Sequence, residues 1–265
     1  MTAVIERPQP DVTAITVDVE WAHPRIVAEV TARLDERGLR ATFFCTHAGV
    51  DVPGHERALH PNFRRCGNSL LDSPGGVEAA RGADRDFYRF VVETTHAFCP
   101  EAVGVRAHSL FFDTDVLAEY AARGLRYDSS YFLPLAAGLA PVRKHRRVLE
   151  LPLFYMDHWD MVEAGTNFEL ARVTPPGGGL RIFAFHPNLV YLNASEPAHY
   201  EASRACYHDV DALRKLVRPG RGVGTLFLEL LDHLANGGGA VATMAEIEER
   251  WRAGESRATE SVACG

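Results

Sequence analysis

The feature that most constrains the fold is an apolar, β-branched run at residues 13–21 that ends in two carboxylates, Asp18 and Glu20. Such a run predicts a buried β-strand. Residues i and i+2 of a strand lie on one face, so both carboxylates are expected to point the same way at its C-terminal end. Paired acids at the end of a parallel strand are typical of a functional site, although one could cap the next helix while the other forms a salt bridge.

The rest of the chain alternates strand-like apolar runs with amphipathic helical stretches. Helices are predicted over residues 24–37, 84–99, 115–123, 224–235 and 245–251, and further strands over 39–45, 54–59, 103–109, 125–128, 149–154, 181–185 and 240–243. Strand, helix, strand succession favours parallel pairing. We therefore predict a single α/β domain over residues 1–265, a complete or distorted (β/α) barrel of about seven parallel strands, with flexible ends at 1–11 and 254–265.

Composition argues against several classes of partner. The formal net charge of −7 disfavours nucleic acid and anionic membranes, and no apolar run approaches the roughly 18 residues of a membrane span. The first residues lack the basic and apolar regions of an export signal, so we expect a cytoplasmic protein. Five widely spaced cysteines without a Cys-x-x-Cys pair predict reduced thiols. The basic run at 143–147 is expected to be a solvated loop, and the oligomeric state stays open.

Polar side chains follow many of the predicted strands. They are Asp18, Glu20, His60, Arg106, His108, Asp157, His158 and His186. In a barrel of parallel strands these ends converge on one rim. A single histidine is more often a core or surface residue than a ligand, but several beside acids and an arginine indicate a site.

The order of these landmarks resembles the polysaccharide deacetylases of the NodB-homology type, a carbohydrate esterase family 4-like group of metal-dependent hydrolases on a distorted (β/α) barrel. The similar stretches are Thr-Val-Asp-Val-Glu at 16–20, Gly-Leu-Arg-Ala-Thr-Phe-Phe at 38–44, Gly-His-Glu at 54–56 leading to His60, Arg-Ala-His-Ser at 106–109, Phe-Ala-Phe-His at 183–186 and the closing residues 230–247. The resemblance therefore covers most of the chain.

The resemblance implies amide hydrolysis, most simply removal of an acetyl or similar acyl group from an N-acylated sugar or sugar-like small molecule. Asp18 would take a proton from water and His186 would protonate the leaving amine. Arg106 would hold Asp18 ionised, and the backbone N–H near Ser109 would face the developing oxyanion.

The resemblance also implies a divalent metal, with zinc the best match to imidazole ligands. The first motif departs from the family because Val19 stands where the second aspartate is usual, so either Glu20 or Asp18 would bind the ion. The predicted ligands are Glu20, His60 and His108.

The second metal motif is incomplete, since Arg64 stands four residues after His60 and cannot bind a cation. Asn62, His108 or His55 could supply the missing ligand. If none does, the chain could be a pseudoenzyme that binds a glycan or nucleotide sugar without turning it over, although that role needs no acid and base.

Predicted substrate contacts are Ser109, Asp157, His158 and Trp159, where Trp159 either stacks on a sugar or lies in the core. The basic run 143–147 and the glycine-rich loop 175–179 are candidates to cover the pocket. A phosphate cradle at 220–224 is a weak alternative, because the glycines do not follow a clear strand.

Overall fold

The computed structural model describes residues 11–144, 147–162 and 167–263, and a curled, mostly parallel sheet runs through it. Its strands are β1 (Val12–Asp18), β2 (Thr42–Cys45), β3 (Glu56–Leu59), β4 (Gly104–Val105), β5 (Tyr127–Asp128), β6 (Val142–Arg143), β7 (Leu149–Glu150), β8 (Tyr155–Met156), β9 (Leu180–Phe185) and β10 (Ala240–Val241). The helices are α1 (Pro24–Asp35), α2 (Pro74–Arg81), α3 (Asp84–Phe98), α4 (Thr114–Ala122), α5 (Asp157–Val162), α6 (Leu170–Val173), α7 (Pro187–Leu192), α8 (Pro197–Ser203), α9 (Val210–Arg214), α10 (Val223–Ala235) and α11 (Met244–Ala263).

Strand β1 lies at the centre, between β2 and β9, and every one of its residues is buried. Burial on both faces explains its continuous apolar sequence. Parallel strands β2, β3, β4, β5 and β7 follow on one side, and β9 and β8 on the other.

One extended segment, residues 149–156, contains both β7 and β8 and joins the two sides of the sheet. In its first part Leu151 N donates to Asp128 O of β5 at 2.8 Å, and further on Phe154 N donates to Ile182 O of β9 at 3.0 Å. The barrel therefore consists of strands β1 to β5, the 149–156 segment and β9. The predicted distorted (β/α) barrel of about seven parallel strands is confirmed.

The structure differs from the predicted elements at the edges of the barrel. Strand β6, antiparallel to β7, and most of the short helices after β8 were not predicted. Helix α11 was predicted to end at residue 251 but continues through Gly254 to Ala263, because one glycine costs a helix only about 1 kcal/mol. Residues 1–10, 264 and 265, predicted to be flexible, lie outside the described residues.

Lys144 corrects the expectation that the basic run is a solvated loop. Its side chain is 5% exposed, and its ammonium contacts the buried carboxylates of Asp128, at 2.7 Å, and Glu150. These two acids end β5 and β7 side by side, and buried carboxylates require a counter-charge. His145 and Arg146 lie outside the described residues.

The glycine-rich loop 175–179 lies at the end of the barrel where strands begin, since Gly179 O accepts from Val12 N at 3.2 Å. It therefore does not cover a pocket at the opposite rim. Cys45, Cys66, Cys99 and Cys206 are free thiols, as predicted, whereas Cys264 lies outside the described residues. Among the described helices, none is long and apolar enough to cross a membrane.

Gly104 of β4 lies directly against the ring of Tyr127 in β5. A Cβ at this position would come within 1.8 Å of Tyr127 Cζ, and the buried ring is tethered because its hydroxyl donates to Glu56 Oε1 at 2.7 Å. We expect Gly104→Ala to lower the free energy of unfolding by about 3 kcal/mol, measured by urea denaturation. Gly178→Ala, whose Cβ would meet nothing closer than 4.0 Å, is the control. Equal unfolding midpoints for the two variants would contradict this packing argument.

Candidate active site and metal centre

A cavity of about 660 Å³ opens at the C-terminal ends of the strands, a size typical of small-molecule sites. Seven of the predicted site residues line it, namely Asp18, Glu20, His60, His108, Ser109, His158 and His186. The convergence of strand ends in a parallel barrel accounts for this grouping.

Glu20 reaches the cavity through a turn, not through the alternation of strand faces. β1 ends at Asp18, although Val19 N still donates to Phe44 O at 3.0 Å. Glu20 then adopts a left-handed backbone conformation with φ of 53°, and Thr46 donates its hydroxyl to the Glu20 carbonyl. A non-glycine residue in this region carries strain, which is frequent at functional sites.

Glu20, His60 and His108 form a cluster of three side chains of the types that bind metal ions, and their donor atoms all lie within 4.8 Å of one another. His108 Nδ1 lies 2.8 Å and His60 Nε2 3.3 Å from Glu20 Oε1. Two donors bound at about 2.1 Å to a tetrahedral zinc ion lie roughly 3.4 Å apart. The donor types and their spacing therefore fit a divalent cation.

The two histidines meet because β3 and β4 continue their pairing beyond the strand ends. Arg106 N donates to Leu59 O, and His108 N donates to Pro61 O, both at 2.9 Å. Arg106 and His108 are two residues apart in this extended stretch, so both point toward the site. The register thus places His108 beside His60.

The other two candidate ligands lie outside the cluster. Asn62 Oδ1 accepts a hydrogen bond from Arg64 N at 3.0 Å and shapes the turn after β3. His55 lies before β3, at the opposite end of the strand, where its Nδ1 accepts from Ala41 N at 3.1 Å and its Nε2 lies 3.2 Å from Asp35 Oδ1. Neither residue lines the cavity that contains His60.

Arg106 forms a buried ion pair with Asp18, and Arg106 Nη1 lies 2.6 Å from Asp18 Oδ1. The same guanidinium donates to Thr16 Oγ1 at 2.8 Å and to Ser129 O at 3.2 Å, and it lies 4.1 Å above the Phe44 ring. These contacts fix the arginine inside the barrel, where it holds Asp18 without lining the cavity itself.

The pKa values of both carboxylates lie below their usual range. Burial is the largest effect on Asp18 and raises its pKa, but the charges of Arg106, His60 and His186 together outweigh it. Burial likewise raises the pKa of Glu20, and hydrogen bonds from His108 and His60 more than offset that rise. Both side chains are therefore ionised at neutral pH.

His186 follows β9 directly and is oriented by Asp157. His186 Nδ1 lies 2.6 Å from Asp157 Oδ1, and the His186 backbone N–H donates to Asp157 Oδ2 at 2.6 Å. Burial lowers the pKa of His186, but the charge and hydrogen bond of Asp157, with Asp18 and Glu20, raise it to about 9. The imidazolium turns Nε2 toward the cluster, 3.9 Å from Glu20 Oε1.

This arrangement corrects the predicted role of Asp157. Its carboxylate is fully buried behind the imidazole and does not line the cavity, so it contacts His186 and the His158 backbone instead of a substrate.

A family model described as WbmS-like polysaccharide deacetylase matches residues 15–204. This chain belongs to that family. The resemblance inferred from the sequence motifs is confirmed at the level of the family. A comparison with curated proteins finds no significant match.

Two solved structures resemble this WbmS-like chain. One is WbmS from Bordetella bronchiseptica, assigned as a polysaccharide deacetylase involved in O-antigen biosynthesis, with 26% identity over 84% of this chain and 90% of that one and a TM-score of 0.68. The other is a protein of Mycobacterium smegmatis assigned as a polysaccharide deacetylase, with 19% identity, coverage of 95% and 94%, and a TM-score of 0.54. The second likeness shows the fold alone.

The aromatic residues around the WbmS-like site differ from those predicted. Trp159 does not line the cavity and packs edge-on against Phe132, with ring centroids 5.4 Å apart. Three other aromatic residues line the cavity instead, namely Trp21, Tyr200 and Tyr207. The Trp21 ring contacts His108 edge-on, with ring centroids 5.4 Å apart. Trp159 is thus a packing residue.

The segment from α8 onward contributes lining residues that sequence reasoning missed. Tyr200, Arg204, Tyr207 and His208 all line the cavity. The first three are spaced by four and three residues, the spacing of one helical face. That spacing was the available signal, but it lies far from any predicted strand end.

Proposed function

We propose that this protein is a metal-dependent amide hydrolase that removes an acetyl or similar acyl group from an N-acylated sugar or sugar-like small molecule. The observation that carries the proposal is a base, an acid and three metal-binding side chains around one cavity. Membership in the WbmS-like polysaccharide deacetylase family supports the reaction class.

Glu20, His60 and His108 would hold the cation, and one carboxylate with two imidazoles favours zinc. When bound, such an ion polarises the acyl oxygen and makes water more acidic. The cluster lines the cavity, so a substrate reaching it needs no rearrangement of the barrel.

Two residues of the chain, Asp18 and His186, would carry out the proton transfers. The Asp18 carboxylate accepts a proton from the attacking water, and Arg106 keeps it ionised. As the C–N bond breaks, the His186 imidazolium donates its Nε2 proton to the leaving amine. The backbone N–H at Ser109, in the turn beside His108, is the proposed donor to the oxyanion.

The direct test is acyl release. Zinc-loaded protein is incubated with N-acetylated monosaccharides and short oligosaccharides, and free acetate is followed by proton NMR. We expect release that chelation abolishes and zinc restores. Binding of these sugars without release would instead support the glycan-binding alternative.

Asp157→Asn is expected to shift the pH dependence of turnover. The acid must be protonated, so the rate falls as pH rises through the pKa of His186, which Asp157, with Asp18 and Glu20, raises to about 9. Without that carboxylate the largest effect that raises the pKa is lost and the pKa falls, so the alkaline limb of kcat should move down by about one pH unit.

Asp160→Asn is the matched control for this variant. Asp160 is also buried on α5, but its partners include Tyr155 and Arg172. We expect the alkaline limb of kcat for Asp160→Asn to stay at the wild-type position. A shift of equal size in both variants would assign the effect to disruption of α5.

A further inference from the structure

Arg64 places a positive charge without an acidic partner on the cavity wall. Its side chain is exposed, and Arg64 Nη2 donates to Ser109 Oγ at 3.0 Å. No carboxylate of the described residues forms an ion pair with it. A guanidinium has five N–H donors, and the bond to Ser109 uses one of them.

The carboxylates that line the cavity are already engaged. Asp18 pairs with Arg106, and Glu20 accepts from His108 and His60. A second arginine on the wall, Arg204, pairs with Glu201 Oε1 at 2.7 Å on the surface.

The tyrosines of the wall add no opposing charge. Burial is the main reason that the pKa values of Tyr200 and Tyr207 are raised, so both hydroxyls stay neutral. Any bound cation would add positive charge beside the Arg64 guanidinium. The cavity thus favours anions, although the whole chain has a net charge of −7.

We infer that the substrate is anionic: an N-acylated sugar with a carboxylate or phosphate group that the Arg64 guanidinium binds through paired hydrogen bonds. Both groups present two oxygens that match the planar fork of arginine, which a lysine ammonium does not reproduce. Ser109 accepts a hydrogen bond from the Arg64 guanidinium and so holds it on the cavity wall beside His108. The bound anion would therefore lie in the same cavity as the proposed cation ligands. This inference rests on the proposed function for the acyl group.

The test measures binding of sugars that have no amide and cannot be turned over. Glucose, glucuronate and glucose 6-phosphate are titrated into zinc-loaded wild-type protein and Arg64→Gln by calorimetry. We expect the anionic sugars to bind wild type about 10- to 100-fold more tightly than glucose, and Arg64→Gln to remove that preference while glucose affinity stays within about twofold. The larger advantage identifies the carboxylate or the phosphate as the recognised group.

Arg65→Gln is the adjacent control, because Arg65 pairs with Asp84 and does not line the cavity. We expect it to keep the full preference, and Arg64→Lys to keep only part of it. Equal affinities for glucose and the anionic sugars, or a preference that survives Arg64→Gln, would overturn the inference.

The inference and the proposed function fail separately. Arg64-dependent binding of the anionic sugars stands even if no acyl group is ever released. Conversely, release of acetate from a neutral sugar at a rate unaffected by Arg64→Gln would retain the hydrolase and overturn the anionic substrate.

Discussion

His60→Ala is expected to lose the bound cation and the activity together. His60 is 2% exposed and directs Nε2 toward Glu20 Oε1 at 3.3 Å, within the cluster completed by His108. Removing one of three protein ligands should weaken zinc affinity by at least about 100-fold, since the loss of a group that merely orients a ligand already costs 10- to 100-fold. Acetate release should fall in proportion to zinc content.

Elemental analysis by plasma mass spectrometry after dialysis measures this loss. His55→Ala is the matched control, because His55 has a side chain only 1% exposed but lies before β3, with its ring nitrogens near Ala41 N and Asp35. It should lose stability and keep its zinc. Unchanged zinc in His60→Ala would remove His60 from the site, and no zinc in the wild type even after reconstitution would favour a metal-free binding protein.

Asp18→Asn is expected to lower kcat by about 10²- to 10⁴-fold while zinc content is retained. The amide cannot accept the proton of the attacking water, whereas the ligand cluster does not include Asp18. The substitution also leaves the buried Arg106 without its counter-charge, which costs about 3–5 kcal/mol in buried pairs. Rates should therefore be compared well below the melting temperature of the variant.

Asp128→Asn is the control that shows whether the loss of activity in Asp18→Asn comes from the missing base or from a missing buried ion pair. Asp128 is 1% exposed, also ends a parallel strand and pairs with the buried Lys144 at 2.7 Å. The substitution removes one buried ion pair while Glu150 still pairs with Lys144, so it should show a smaller loss of stability and a near-normal kcat. A near-normal kcat in Asp18→Asn would refute the assigned role, and an equal fall in both variants would attribute the effect to stability.

The sequence predicted the rim of the barrel better than the contacts within it. Strand ends are readable because apolar runs stop abruptly, and parallel strands bring those ends together, which located Asp18, Glu20 and His186. Even so, Glu20 enters the cavity through a left-handed turn and not along a strand face.

Contacts that depend on register or on distant segments were harder to predict. The choice among Asn62, His55 and His108 depends on how β3 and β4 align beyond their ends, and no local pattern encodes that alignment. Asp157 was read as a substrate contact because its partner, His186, lies 29 residues later and meets it only after β8 pairs with β9.

Closure of the barrel and the orientation of the proton donor His186 both depend on how the 149–156 segment pairs with β9. Asp157 is the first residue after this segment, and His186 is the first residue after the strand that the segment pairs with. A slip of one residue in that pairing would move the carboxylate by about 3.3 Å and turn it to the other side. Substitutions that weaken the pairing of the 149–156 segment with β9, for instance at the fully buried Leu153, should therefore lower turnover under conditions where the protein is still folded.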